Sequence, residues 1–294
     1  MEKIYIPTMG RADNQITYES LPKSYQKKVI LVVPESERKL YKYDTDYLTV
    51  PDNIKGIAET RKYICEDAGE IRFSMVDDDV VFYRRNAKYH GKESNMSKSK
   101  RRATEGDLND MFDDINKKMN DKDKNYIHFG NRRNNLPPCN KRLHDNVFFN
   151  SVHHIDGKKL KNLLHIDGLW TRTKVGEDAN FIFEYMIRGY QNIRYDEFTA
   201  HWGSYQDGGC ALYRDAKLHN TEHRKLKKHW DKFGNFVVMR KKMVAQGQYG
   251  KNIGEIEEYS HRVRNARKYW LNKSGERHER INTWTNTKEL GETS

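Results

Sequence analysis

Hydrophobic and polar positions along the first third of the chain switch repeatedly between a short apolar run and a 3.6-residue stripe. Lys3 to Pro7 is a brief apolar run closed by the loop Thr8-Met9-Gly10-Arg11. Lys28 to Val33 places Val and Ile in unbroken sequence, as in a strand covered on both faces. Tyr47 to Val50 reads as a third strand and Ile71 to Val76 as a fourth, with a helix between them after Pro51. This β-α-β-α rhythm predicts a mostly parallel sheet with right-handed crossovers. Ligands of such sheets bind at the carboxyl ends of the strands, where Thr8 to Arg11 falls.

Thr104 opens a second predicted helix, with Asp107 three residues on as its capping-box partner. Leu108, Met111, Phe112, Ile115 and Met119 form its apolar stripe. Tyr126 to Phe129 and Val147 to Phe149 are predicted strands, joined by the polar loop Asn131 to Cys139. The segment His223 to Tyr269 reads as helices with basic faces and interleaved aromatics, including Trp230, Phe233 and Tyr259, and the last twenty residues as a frayed end. The predicted division is 1–235 for the main domain, with 84–103 as a flexible basic loop, and 236–294 for a basic helical extension.

Composition sharpens this picture. Only 36% of the 294 residues are hydrophobic, and the net charge is +12. Such an excess favours a polyanionic partner such as nucleic acid. The charge is uneven: Arg84 to Arg102 holds eight Lys or Arg against the single acid Glu93, and Ala211 onward holds nineteen basic against ten acidic residues. Two basic zones on a nearly neutral body suit grips on a phosphate backbone. Cys65, Cys139 and Cys210 lie far apart without a CxxC pair, which argues against a zinc site, and their odd number argues against a disulfide framework. A reducing cytoplasm fits. The start, MEKIYIP, is too short and polar for a signal peptide, and no run approaches membrane-spanning length.

Candidate chemistry begins directly behind the fourth strand, with Asp77, Asp78 and Asp79. Three adjacent carboxylates repel one another, and a hard divalent cation with a bound phosphate relieves that repulsion. An acidic surface turn is the other reading. In the preceding helix Arg61 falls on the apolar stripe of Ile54, Ile57, Ala58, Ile64, Cys65 and Ala68. A buried guanidinium needs an anion, either Asp77 or Asp79 or a ligand diphosphate. Glu177 and Asp178 follow Gly176 at the start of an amphipathic helix carrying Ala179, Ile182, Phe183 and Met186. Acids there cap a helix, and one can also serve as a general base toward a hydroxyl. His201 closes a strand before the glycine-rich stretch Gly203 to Gly209, where it is either structural or the completion of a metal site.

A Pro-x-x-x-Arg loop after the first strand, a helix Arg, an Asp-x-Asp, a Glu-Asp and a late His occur here in one order. In that order the chain resembles a glycosyltransferase of the Rossmann-like GT-A fold, with helices on both faces of a nucleotide-sugar-binding sheet. More narrowly it is similar to the phage enzymes that glycosylate hydroxymethylated pyrimidines in DNA, the TET-associated and arabinosyl-hydroxymethylcytosine type. The resemblance covers residues 1 to about 235. It implies that Asp77 and Asp79 bind Mn or Mg with the diphosphate of a UDP-sugar such as UDP-glucose or UDP-arabinose, with Asp78 as a competing ligand. It implies His201 as the late metal or diphosphate contact and Arg61 as the neighbour of the acidic cluster. Pro7, Thr8, Gly10 and Arg11 would cup the nucleoside. Asp178 would be the catalytic base, with Glu177 as its alternative.

Under this reading the acceptor is double-stranded phage DNA carrying hydroxymethylcytosine, the anomeric centre inverts, and the enzyme acts in the infected host cytoplasm. Tyr89, Trp202 or Tyr205 would stack on base or sugar, or pack in the core. Competing readings are transfer to a non-DNA acceptor, a nucleotidyltransferase making sugar nucleotides, and a two-metal nuclease. A DNA-binding protein without activity would leave the acidic cluster without a purpose.

Overall fold

A computed structural model of the chain describes residues 1–54, 56–86, 99–137, 141–202, 215–244 and 255–275. The first half runs β1 (Lys3–Pro7), α1 (Ile16–Ser20), α2 (Lys23–Gln26), β2 (Val29–Pro34), a 3-10 turn, β3 (Asp46–Val50), α3 (Ile57–Ala68), β4 (Arg72–Val76), β5 (Val81–Arg85), β6 (Lys100–Arg102) and α4 (Glu105–Met119). The second half runs β7 (Tyr126–Arg133), β8 (Leu143–Asp145), β9 (Val152–Asp156), α5 (Gly157–Lys161), α6 (Glu177–Met186), β10 (Gln191–His201), α7 (Ala216–Trp230), β11 (Val237–Val244), β12 (Glu255–His261) and α8 (Val263–Ser274).

Among the described residues, β1 to β10 form one mixed sheet in the order β3-β2-β1-β4-β9-β7-β10-β5-β6, with β8 alongside β10. The four predicted strands of the first third make its parallel half, β3-β2-β1-β4. Antiparallel β9 then breaks the run, pairing both β4 and β7. The sheet is therefore mixed rather than mostly parallel. The β-α-β pattern ends at β4, and the following strands are joined in ways that reverse direction.

Strand alternation divides two apolar layers. Ile4, Ile6, Leu31 and Val33 face α1, α2 and α4. Tyr5, Ile30, Val32, Phe73 and Met75 face the layer of α3, α5, α6, α7 and α8. Both faces are covered, which is why the central strands read as continuous apolar runs. The predicted capping box at Thr104 and Asp107 forms, and all five residues of the α4 stripe are buried.

Two expectations are corrected. Val147 to Phe149 is not a strand; the strand begins at Val152. Asn146 and Ser151 take positive φ on either side, and the Asn192 amide bonds both the Val147 N–H and its carbonyl at 3.0 Å. That side chain takes the place of a ladder neighbour. The segment after Trp230 is not all helical either, because β11 and β12 form an antiparallel pair. Only Val237 and the neighbours Ile256 and Glu257 are buried in the pair, so no period-two apolar alternation marks it in the sequence, where Lys and Glu predominate. Phe236, Val237, Val263 and Ala266 join the same core as α6 and α7. No described helix is long and apolar enough to cross a membrane.

Candidate active site

The carboxyl ends of β1, β2 and β4 open into a cleft of about 710 Å³. One bank carries Thr8, Arg11, Arg61, Asp77, Asp78, Asp79, Glu177 and Asp178. The other carries His219, His223, Lys241, Tyr259 and His261 from α7 and the β11–β12 pair.

The aspartate turn is clamped from three sides. The Asp77 N–H donates to the Ser151 carbonyl at 3.0 Å, with Ser151 itself at φ +65°. The Thr17 hydroxyl donates to the Asp77 carbonyl at 2.5 Å and accepts from the Val80 N–H at 2.7 Å. Asp78 turns inward, where it accepts from the Thr8 hydroxyl at 2.7 Å and pairs with Arg11. Gln15 donates to the Thr8 hydroxyl and to the Arg11 carbonyl, each at 2.8 Å. The P-x-x-x-R loop and the acidic turn are thereby one hydrogen-bonded unit. Gly10, at φ +68°, gives its N–H to Glu37 at 2.7 Å. Pro7 ends β1 beneath the cleft.

Asp78 is thus committed to the loop, and Asp77 and Asp79 are left facing the opening. Burial, with the neighbouring charges of Asp77 and Asp78, pushes the Asp79 carboxyl up to about 7. Burial raises Asp77 as well, against the pull of Arg61. Asp79 has no ion-pair partner among the described residues. A partly exposed carboxylate pair short of positive charge fits a hard divalent cation. Magnesium in particular is held by one or two carboxylates plus substrate phosphates and water. Among the described residues, no three His, Cys, Asp or Glu side chains stand ready-made as a metal cage.

Arg61 joins the two acidic motifs. It is 2% exposed on the buried stripe of α3. It donates to Glu177 at 2.7 Å and to Asp77 at 3.3 Å, and it also bonds Asp178. Sequence reasoning expected Asp77 or Asp79 as the partner; Glu177 and Asp178, 116 and 117 positions away, were missed as its partners. Gly176 starts α6 at φ +81°, and a Cβ there would lie 3.1 Å from Leu226 and 3.5 Å from the His223 ring. The tight turn aims both acids of the first helical turn at Arg61, where the helix dipole also favours them. Arg61→Leu is expected to cost roughly 3–5 kcal/mol of stability, because it strands buried carboxylates without their cation. Urea unfolding monitored by tryptophan fluorescence would measure it.

His201 is placed differently from expectation. It ends β10 opposite Val81 of β5, two residues beyond Asp79. Its Nδ1 pairs with Asn134 at 3.0 Å, its ring sits edge-on to Tyr83, and it does not line the cleft. The histidines that do line it are His219 and His223, one helical turn apart on α7, and His261. The i, i+4 spacing of His219 and His223 is visible in the sequence, but the segment expected to be helical with basic faces began only at His223 and left His219 out. His153, whose Nε2 lies 3.1 Å from Asp178, was also missed. Its signal was a pair of histidines inside an apolar strand, Val152 to Ile155.

The basic stretch around 84–102 is partly internal. Arg84 pairs with Asp107, Asp110 and Glu197. Arg85 is buried and donates to the carbonyls of Asn134 and Leu136, and Arg101 pairs with Asp107. These cations are held by the protein rather than left for phosphates. Residues 87–98 with Tyr89, the stretch 203–214 with Tyr205 and Cys210, Cys139 and the chain end lie outside the described residues. Trp202 is half-buried beneath the Arg133 guanidinium, 5.2 Å from its ring centre.

Comparison with known proteins gives the class of this enzyme as glycosyltransferase. The chain belongs to the TET-associated glycosyltransferase family, whose model matches residues 2–208. The resemblance carried by the Asp-x-Asp and Glu-Asp motifs is borne out at that level. No curated protein sequence matches it. Among solved structures it is similar to one described as the crystal structure of a mycobacterial protein, with 8% identity over 89% of this chain and 86% of that one, at a TM-score of 0.43. The family match stops short of α7, β11 and β12, so the second bank of the cleft lies beyond it.

Proposed function

We propose that the enzyme moves a sugar from a UDP-sugar to the hydroxymethyl group of hydroxymethylcytosine in double-stranded phage DNA, with inversion, inside the infected cell. The observation that carries this reading is Arg61, which draws the Asp77 turn and the Glu177–Asp178 helix start onto one cleft beside the Thr8–Arg11 loop. Family membership supports glycosyl transfer, and a parallel β3-β2-β1-β4 half with its acidic turn after β4 supports a GT-A arrangement.

In this mechanism Pro7, Thr8, Gly10 and Arg11 cup the nucleoside, and Asp77 and Asp79 would hold Mn or Mg. When bound, that ion supplies charge to offset the negative charge that builds on the departing diphosphate. His201 would have to release Asn134 to reach it. The sugar carbon passes through an oxocarbenium-like state. Asp178, oriented by Arg61 and His153, takes the proton of the attacking hydroxyl, with Glu177 buried behind it. Entry of the hydroxyl from the face opposite the diphosphate inverts the centre. A base in a duplex must leave the stack to reach the cleft, at a cost of a few kcal/mol, roughly.

The test is mass spectrometry of hydroxymethylcytosine duplex incubated with Mn and a panel of UDP-sugars. A gain of one sugar mass with one donor is expected. No gain with any donor, or nicking of plain DNA with Mg alone, would overturn the proposal. Binding to the duplex should also weaken steeply with salt, as counterions released from the backbone set the slope. A filter-binding titration between about 50 and 200 mM salt reads it, and a flat line would remove DNA as the acceptor.

A further inference from the structure

Behind His153 runs a chain of buried side chains, His128, Tyr185 and Asn192, that the mechanism above does not use. The Asn192 amide is locked by backbone, donating to the Val147 carbonyl and accepting from the Val147 N–H, each at 3.0 Å. Its NH₂ also donates to the Tyr185 hydroxyl at 2.7 Å. That hydroxyl lies 3.1 Å from His128 Nδ1. His128 Nε2 lies 2.9 Å from His153 Nδ1, and His153 Nε2 lies 3.1 Å from Asp178 Oδ1. Tyr185, His128 and His153 are each 0% exposed.

The direction of every proton in this row follows from its fixed end. Asn192 cannot be flipped without losing both bonds to Val147, so its nitrogen faces Tyr185. The Tyr185 oxygen already accepts, and its own O–H then points to His128 Nδ1. A neutral imidazole that accepts at Nδ1 carries its proton on Nε2. His128 therefore donates to His153 Nδ1, and His153 carries its own proton on Nε2, which stands 3.1 Å from Asp178 Oδ1 without hydrogen-bond alignment in this structure. The opposite polarity would leave the Tyr185 proton without an acceptor and set a lone pair of His153 against a carboxylate. Burial lowers both imidazoles well below the ordinary histidine value, which keeps them neutral. The rings of Phe149, Phe181 and Trp170 wall the row off. Gly130 is what admits Phe149, since a Cβ there would fall 2.1 Å from its ring.

We infer that His153, His128 and Tyr185 are positioning residues: a one-way hydrogen-bond row anchored on the Val147 backbone fixes the His153 ring, whose Nε2 stands 3.1 Å from the Asp178 carboxylate and backs it from the core. This rests on Asp178 as the base. Arg61 grips Asp178 from the cleft side, and His153 backs it from the core side. Together they set the angle at which Asp178 meets the incoming hydroxyl.

The test uses the full-length enzyme with hydroxymethylcytosine duplex, Mn, and both UDP-glucose and UDP-arabinose. His153→Phe is expected to lower kcat about 10- to 100-fold, the range seen when a group orienting a reactive ligand from behind is lost, with KM for donor and DNA held within about twofold. His153→Gln keeps a donor for Asp178 and an acceptor for His128, and should restore most of that loss. Tyr185→Phe, which touches no substrate, should lower kcat by a smaller factor. Independently of turnover, nitrogen-15 spectra of the intact protein should show His128 and His153 as neutral Nε2–H tautomers. Equal kcat for the Phe and Gln variants, or an Nδ1–H tautomer at either ring, would overturn the inference. An inactive Asp178→Asn beside a fully active His153→Phe would sink the row alone, whereas an active Asp178→Asn would sink the base assignment beneath it.

Discussion

Asp79→Ala is expected to abolish metal-dependent sugar transfer while leaving the protein at least as stable as before. The two effects have opposite signs because of where Asp79 sits. Its carboxyl is crowded by Asp77 and Asp78, partly withdrawn from water, and without an ion-pair partner among the described residues. Such a group weakens the fold at neutral pH, since its charge is only partly solvated and has no ion-pair partner among the described residues. Removing it relieves the crowding. The same change takes away one of the two carboxylates turned toward the opening and with it the proposed grip on a divalent ion. Turnover measured across a Mn titration, with a thermal melt of the same sample, checks both halves. Wild-type turnover in the variant would take the metal assignment away from this turn. A melt lowered by several degrees would mean that Asp79 has a structural partner.

Asp178→Asn should lower kcat by about 10²–10⁴-fold, the range for loss of a positioned general base. Asn has nearly the same shape, so it should keep the contact with His153, though its bond to Arg61 weakens without the negative charge. Donor affinity should change little, because the Thr8–Arg11 loop proposed to cup the nucleoside is held through Asp78 rather than Asp178. Steady-state kinetics with varied donor would show kcat falling at nearly constant KM. A fall in donor affinity with kcat preserved would move the base elsewhere, with Glu177 the neighbour to examine next.

Much of the first third could be seen in the residues themselves. Strands β1, β2 and β4 are covered on both faces, so their apolar runs stand out, and Asp77 to Asp79 follow the carboxyl end of β4, where such sheets meet their ligands. Arg61 announced itself by standing on an apolar stripe. Its partnership with Glu177 and Asp178 could not be seen, because only the packing of α6 over α3 brings positions 116 and 117 residues apart into contact. The His153 row was hidden for a related reason. Its members come from β7, β9, α6 and β10, and the adjacent histidines of β9 are the one sign of it in the sequence. The β11–β12 pair failed on composition, since Lys and Glu dominate its exposed positions and mimic a charged helix face. His201 was placed at the right strand end, but its ring is engaged by Asn134, a contact made between two separate strands.

Where the family match stops, at residue 208, the cavity continues into His219, His223, Tyr259 and His261. Two cousins could agree at every acidic position named here and still present unlike walls to whatever enters across from the sugar.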